Sequence, residues 1–331
     1  MTDPLVSVRN LTKLYPVRHS LFGRPMGEVR AVDAVSFDIF PGETLALVGE
    51  SGCGKTTTGR CVLRLVEATA GEIRFDGTDV RALAREPLRL LRRRMQLVFQ
   101  DPYTSLNPRM KVGRAVREGM EIHGLARGAE ATRRVQQLLE EVGLQADDTE
   151  RYPHEFSGGQ RQRIAIARAL AVEPSFIVLD EAVSALDVTV QAQVLALLAR
   201  LQRERGLTYL FIAHNLAVVE QVATRIAVMY LGRIVEMGSA AEVFGMPQHP
   251  YTQALLSAVP IPDPGAPRRR ITLTGDVPSA TAPPPGCVFQ PRCPHPGKDG
   301  ACSSSAPPLL ERDEGHLVAC IKPASPALAA R

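Results

Sequence analysis

At 331 residues the chain is too long for one ordinary core, and two units, or a large and a small one, are expected. Apolar residues make up 45% and mean hydropathy is near zero, which fits a globular protein. No apolar run approaches the roughly 18–20 residues of a bilayer crossing, and the N-terminus has no basic–apolar–small signal order. A net charge of +4, short basic clusters, no Trp and 5% aromatics leave no nucleic-acid footprint.

In chain order, Leu5 to Val8 and Val35 to Ile39 read as strands, with Val17–Arg30 between them as a hairpin insertion rich in Gly, Pro and Arg. Thr44 to Val48 reads as a buried strand and 57–67 as a helix. Gly71–Gly77 reads as a strand ending in an Asp-Gly turn, and Met95–Phe99 as another strand. Residues 111–170 carry helical spacing, as in Val135, Leu138, Leu139 and Val142. Strands follow at Phe176–Asp180, Thr208–Ala213 and Ile226–Tyr230, with a helix from Val190 to Arg205. Alternating strands and helices predict a mostly parallel sheet covered on both faces. Near Pro247 the composition turns Pro-rich and holds four of the six cysteines, so a boundary is expected at about 245–260.

The run Gly49-Glu50-Ser51-Gly52-Cys53-Gly54-Lys55-Thr56 matches Gly, four residues, Gly-Lys-Ser/Thr, between a strand and a helix starting from Thr57. Glycines let backbone N–H groups converge on phosphate oxygens, and the helix N-terminus adds a favourable field. Lys55 is placed to reach the β- and γ-phosphates, and Thr56 to ligate Mg²⁺. A plain Gly-rich turn has no need of a lysine and a hydroxyl at these offsets. Asp180 and Glu181 end a parallel strand, where α/β sheets bind ligands, with Asp180 for Mg²⁺ and Glu181 for polarising water. Alone this is as readily a solvated acidic strand exit; about 125 residues after a phosphate loop it reads as functional. Ser157 before Gly158-Gly159-Gln160 reads as a helix cap with bare N–H groups, a second anion site.

In this order the motifs resemble the nucleotide-binding subunit of ATP-binding cassette transporters over residues 5–240. The resemblance implies an α/β fold of the P-loop NTPase type. It has a mostly parallel core sheet, an antiparallel β-subdomain, a helical subdomain (about 101–170) and a small Cys-containing C-terminal extension. The domains would be 1–248 and 249–331. It further implies ATP hydrolysis with Glu181, His214 and Gln100 catalytic. ATP contacts would come from Tyr15 (adenine stacking), Gly49, Ser51, Gly52, Cys53, Gly54, Lys55, Thr56 and Thr57. Ser157, Gly158, Gly159 and Gln160 (the family signature) and Asp187 (the crossing loop) would serve the opposite subunit. Thr56, Gln100 and Asp180 would hold Mg²⁺. Phe156 stands where the signature usually begins with Leu, and Ala182 where many members have Pro. Two subunits would pack head to tail, each ATP clamped between one phosphate loop and the other signature.

Asp101 to Met110, Val188 to Val194, Leu21-Phe22-Gly23-Arg24 and His249-Pro250-Tyr251 resemble the ATPases of oligopeptide and dipeptide permeases, the hairpin and Cys53 suggesting the second ATPase of a pair. That implies a paralogous ATPase as heterodimer partner, two membrane permease subunits, an extracytoplasmic solute-binding protein and a peripheral place on the cytoplasmic face of the membrane. Nickel, glutathione and sugar importers share this ATPase type. A soluble cassette ATPase is the other class, but such chains usually carry two cassettes or a long coiled coil.

Cys287, Cys293, Cys302 and Cys320 are separated by five, eight and seventeen residues, without Cys-x-x-Cys. Four thiolates in a core-poor segment can fold around a metal. Their surroundings, Gly286–Pro294 and Val318–Cys320, resemble the peptide-permease extension, which implies a 4Fe–4S cluster on all four. Zn²⁺, drawing on His295 or His316, is the alternative, and four unrelated thiols the third reading. A regulatory redox role for this module is compatible with transport.

Overall fold

The protein is described by a computed structural model covering residues 3–17, 27–101, 105–259 and 270–323. The quoted hairpin residues Leu21 to Arg24, and Pro102, Tyr103 and Thr104, lie outside these residues.

Strand β1 (Val6–Val17) pairs antiparallel with β2 (Gly27–Ile39) from Val6↔Ile39 to Val17↔Gly27. The hairpin is therefore built on strands of 12 and 13 residues, longer than the apolar runs at their far ends predicted. Only one face of this sheet is buried, so Val6, Val8 and Leu11 point inward while Arg9 and Asn10 stay exposed, which breaks the apolar run. β4 (Ala70–Phe75) pairs with β1, and β5 (Thr78–Asp79) follows through an Asp76-Gly77 turn. Both turn residues have positive φ (49° and 74°), as a two-residue hairpin loop requires.

The larger sheet has eight strands in the order β11-β12-β10-β9-β3-β8-β7-β6. β3 (Thr44–Val48), β6 (Met95–Val98), β7 (Phe176–Asp180), β8 (Thr208–Ala213) and β9 (Arg225–Tyr230) are parallel. β10 (Arg233–Ser239), β11 (Leu310–Asp313) and β12 (His316–Val318) extend it antiparallel. Every residue of β3, β7 and β8 is buried, because both sheet faces are covered. Alternation divides them between two cores: Phe176, Val178, Leu210 and Ile212 pack with the antiparallel sheet, and Ile177, Leu179, Tyr209 and Phe211 with the helices.

Helix α1 (Lys55–Val62) stops short of the predicted 57–67 span, and Arg64 just beyond it takes φ 49°. After α2 (Arg85–Arg94) and β6 comes a helical segment of α3 (Val112–Ile122), α4 (Gly128–Glu141) and α5 (Gly158–Leu170), with two 3₁₀ turns before α5. α6 (Val188–Arg205), α7 (Leu216–Val222), α8 (Ala240–Gly245) and α9 (Pro250–Ser257) follow, and a one-turn α10 (Gly300–Ser304) lies near the C-terminus.

Strands β10, β11 and β12 had no counterpart among the predicted elements. In β10 the charge of Glu236 interrupts Ile234-Val235-Met237, yet this side chain is fully buried. Its Oε1 accepts from Gln248 N (2.7 Å) and pairs with His316 Nε2 (2.8 Å), and its Oε2 accepts from His249 N (2.9 Å). A buried charge is tolerated when its lone pairs are filled this way. The cluster fastens the last strands to the core sheet.

Candidate active site

The phosphate loop joins β3 to α1. Gly49 and Gly54 are required by their surroundings, not only by their φ of 151° and 108°. A Cβ on Gly49 would run into the Met229 carbonyl oxygen, and one on Gly54 into that of Ala31. Ser51 and Gly52 form the exposed outer turn, while Cys53 is buried, its thiol pKa raised by burial. Lys55 is 4% exposed, and its ammonium rests on the carbonyls of Gly49 (2.8 Å) and Glu50 (2.9 Å). Thr57 lies in the first turn of α1 and is half-buried.

The acidic strand end meets this loop. Thr56 Oγ1 donates to Asp180 Oδ1 at 2.8 Å. Burial pushes the Asp180 carboxyl above its usual range, and the Thr56 hydroxyl pulls against that shift. Next to it, Glu181 has φ 48°, and its N–H donates to the Ile212 carbonyl at the end of β8 (3.0 Å). This left-handed residue turns the carboxylate toward two partners: Gln100 Nε2 at 2.9 Å and His214 Nδ1 at 3.2 Å. A recess of about 50 Å³, lined by Glu181, Ser184 and His214 among others, lies beside it. That volume accommodates a water molecule. Thus Lys55, Thr56, Asp180, Glu181, Gln100 and His214, spread over 160 residues of sequence, converge along the C-terminal ends of β3, β6, β7 and β8.

The other expected residues sit elsewhere. Ser157 Oγ accepts from Gln160 N (3.3 Å) while Gln160 Oε1 accepts from Ser157 N (2.9 Å), a reciprocal cap on α5. A Cβ on Gly159 would strike Val190 Cγ1, and one on Gly158 would meet Leu186 at 3.7 Å. Asp187 caps α6 by accepting from Val190 N (2.9 Å). The segment around Ser157–Gln160 and the loop ending at Asp187 therefore pack on each other. Tyr15, on β1, is 38% exposed, with the Lys13 ammonium 4.7 Å from its ring centre.

The four C-terminal cysteines are free thiols on linked segments, with Cys287 N donating to the Cys302 carbonyl at 2.9 Å. Burial is the first cause of the raised thiol pKa of Cys287 and Cys293, and it pushes Cys320 up to about 11. Among the described residues no three His, Cys, Asp or Glu side chains are gathered to hold a metal ion. The donors of the expected 4Fe–4S or Zn²⁺ centre are of the right kind and number, and Cys287, Cys293 and Cys302 all lie within electrostatic reach of Cys320, but they do not form a closed ligand shell.

Sequence reasoning missed two residues near the loop. Tyr251 on α9 accepts the Glu50 N–H at its phenol oxygen (2.9 Å), and Arg292 pairs with the Glu50 carboxylate. His249-Pro250-Tyr251 and the Gly286–Pro294 run that holds Arg292 stood out only as resemblances, with nothing to link either to Glu50.

The family model of ABC transporters matches residues 32–184, and that of the oligopeptide/dipeptide transporter C-terminal region matches residues 235–302. A putative peptide import ATP-binding protein of Brucella ovis is 54% identical over 97% of this chain and 99% of its own length. A probable peptide ABC transporter ATP-binding protein of Sinorhizobium fredii is 50% identical over 97% of this chain and 90% of its own. The glutathione import ATP-binding protein GsiA of Salmonella paratyphi A is 56% identical over 84% of this chain but only 45% of its own length. Among solved structures, cbiO1 from Clostridium perfringens superposes with a TM-score of 0.63 at 28% identity, over 73% of this chain and 91% of its own. A dimeric ATP-binding cassette in a post-hydrolysis state with ADP and Pi gives 0.62 at 28% identity, over 71% and 98%. With the Gly-rich loop, the Thr56–Asp180 pair and the Glu181 cluster in place, this chain belongs to the ABC transporter ATP-binding family, as an ATP-hydrolysing member with an oligopeptide/dipeptide transporter C-terminal region.

Proposed function

We propose that this chain is the ATPase subunit that energises import of di- and oligopeptides. The geometry that carries the ATPase part is Glu181 held between Gln100 and His214, beside the Thr56–Asp180 pair. The peptide part is supported by the C-terminal region and by relatives named for peptide import. Glutathione, itself a peptide, is the second reading, from the relative named for its import.

In the proposed mechanism Lys55 leaves its resting carbonyls for the β- and γ-phosphates, and the loop N–H groups bind phosphate oxygens. Thr56 and Asp180, with Gln100, would hold Mg²⁺, which when bound neutralises phosphate charge. Glu181 orients the attacking water in the recess and takes up its proton, while His214 and Gln100 keep the carboxylate aimed. Catalysis is positioning plus charge stabilisation of a loose phosphoryl transition state. Tyr15 offers a ring face to adenine. Ser157–Gln160 and Asp187 would close on the site of a paralogous ATPase packed head to tail.

No helix among the described residues is long and apolar enough to cross a membrane. We propose a peripheral place on the cytoplasmic face, beneath two permease subunits fed by an external solute-binding protein. A groove of about 350 Å³ lined by Arg109, Lys111, Arg114, Arg117, Glu150 and Tyr152 is the proposed seat of a permease segment. On donor chemistry alone we also propose that the four thiols take an iron–sulfur cluster or Zn²⁺. No step of hydrolysis runs through it, and anaerobic iron and zinc analysis beside Cys287→Ser tests it.

The functional test is uptake by the reconstituted transporter. Labelled di- and oligopeptides should accumulate only with ATP. Uptake of nickel or a sugar but no peptide would reject the peptide assignment.

A further inference from the structure

The phosphate loop is not held by the ATPase elements alone. Arg292 closes a two-pronged ion pair on Glu50, Nη1 to Oε2 at 2.8 Å and Nη2 to Oε1 at 3.2 Å, across 242 residues of chain. The Arg292 side chain is only 10% exposed, and its guanidinium lies 6.0 Å from the centre of the Tyr230 ring. Tyr251, fully buried, takes the N–H of the same Glu50 at its phenol oxygen (2.9 Å). Its ring is fixed against Tyr230 (4.7 Å) and Phe289 (5.3 Å). Glu50 in turn offers its carbonyl to Lys55 (2.9 Å). One loop residue thus has its carboxylate and N–H bound by the C-terminal region and its carbonyl bound by the phosphate lysine.

From this geometry we infer that Arg292 and Tyr251 are positioning residues for nucleotide binding. Through Glu50 they set the shape and charge of the phosphate loop, so the C-terminal region completes the ATP site. Glu50 places a carboxylate in a loop that must receive a polyphosphate. A planar guanidinium in fork geometry cancels that charge and fixes its direction. The tyrosine hydroxyl takes the Glu50 N–H, and the Glu50 carbonyl takes that of Cys53 (3.3 Å), so Glu50 fixes the backbone on both sides of the loop's outer turn. Without Arg292 the carboxylate, still 30% exposed, would face the incoming anion unopposed.

The inference rests on residues 49–56 being the ATP site. Its test is Mg–ATP affinity by calorimetry on the full-length protein, with steady-state hydrolysis and thermal unfolding beside it. Arg292→Gln should weaken ATP binding about tenfold. KM should rise with kcat within about twofold, the signature of lost ground-state binding. Arg292→Lys should fall between, because a point charge lacks the fork. Glu50→Gln with Arg292→Gln should recover most of the affinity, since the unopposed charge is gone. Tyr251→Phe keeps the ring packing and should weaken ATP binding about threefold through the orphaned N–H. Should Arg292→Gln fail to fold, Tyr251→Phe and the double variant decide the matter. Lys55→Ala is the control. If it loses ATP while the Arg292, Glu50 and Tyr251 variants bind like wild type, or merely unfold earlier with KM unchanged, the inference fails. If Lys55→Ala also binds ATP normally, the ATP-site reading itself fails.

Discussion

Removing the buried carboxylate of Glu236 should loosen the whole C-terminal region. Glu236 is fully buried and His316 is 1% exposed. The carboxylate accepts the N–H groups of Gln248 and His249 and pairs with His316 at 2.8 Å. Breaking one partner of a buried, hydrogen-bonded pair costs about 3–5 kcal/mol. For a chain of 331 residues that is about 5 °C in Tm. Glu236→Ala should therefore unfold about 5 °C earlier, with residues beyond 248 the first to be released by limited proteolysis. The pH dependence follows from the same cluster. The Glu236 hydrogen bond raises the His316 pKa, with Glu242 and Asp313 also facing the ring. A raised histidine contributes stability that is complete below the unfolded value near 6.5 and is lost as pH rises through the folded value. His249 runs the other way: burial lowers it to about 4 against the pull of Glu236, so its contribution is lost as pH falls from 6.5 toward 4. That loss reaches about 3 kcal/mol. Wild-type Tm should peak near neutral pH and fall on both sides, and Glu236→Gln should remove most of the alkaline fall. A Tm shift under 2 °C in Glu236→Ala, or an unchanged alkaline fall in Glu236→Gln, would refute this account of how the region is fastened.

Other expectations concern the site itself. Gly54→Ala must place a Cβ against the Ala31 carbonyl at φ 108°, so it should cost at least about 2 kcal/mol and abolish ATP binding by calorimetry. Asp180→Asn should separate stability from activity. Because burial raises the Asp180 pKa, its ionised form weighs against the fold at neutral pH. The nucleotide-free variant should melt no lower than wild type while Mg²⁺-dependent hydrolysis falls at least about a hundredfold. Ser157→Ala removes the acceptor for Gln160 N, costs about 1 kcal/mol in unfolding, and should slow hydrolysis only in the assembled dimer.

What the sequence disclosed depended on how far each signal reached along the chain. β7 and β8 were legible to the residue because both faces are buried, and their runs are continuous. The phosphate loop, Glu181 and His214 stood out because each directly follows such a strand, and Asp180 because it ends one. β1 and β2 were read too short because one face is solvated. β10 was hidden by the buried charge of Glu236, whose partners lie 12, 13 and 80 residues away. The Arg292–Glu50 pair spans 242 residues with no periodicity to announce it. The cysteine module shows the converse: count and clustering suggested a formed centre, yet among the described residues no three of the thiols stand as a ligand set.

The central claim is that Glu181, aimed by Gln100 and His214, activates the water that attacks ATP. The most direct measurement is single-turnover hydrolysis by Glu181→Gln in the assembled transporter, with bound nucleotide counted at the same time. The account predicts ATP retained in a closed dimer and hydrolysis slowed at least about a hundredfold. Hydrolysis at the wild-type rate with ATP bound would contradict it.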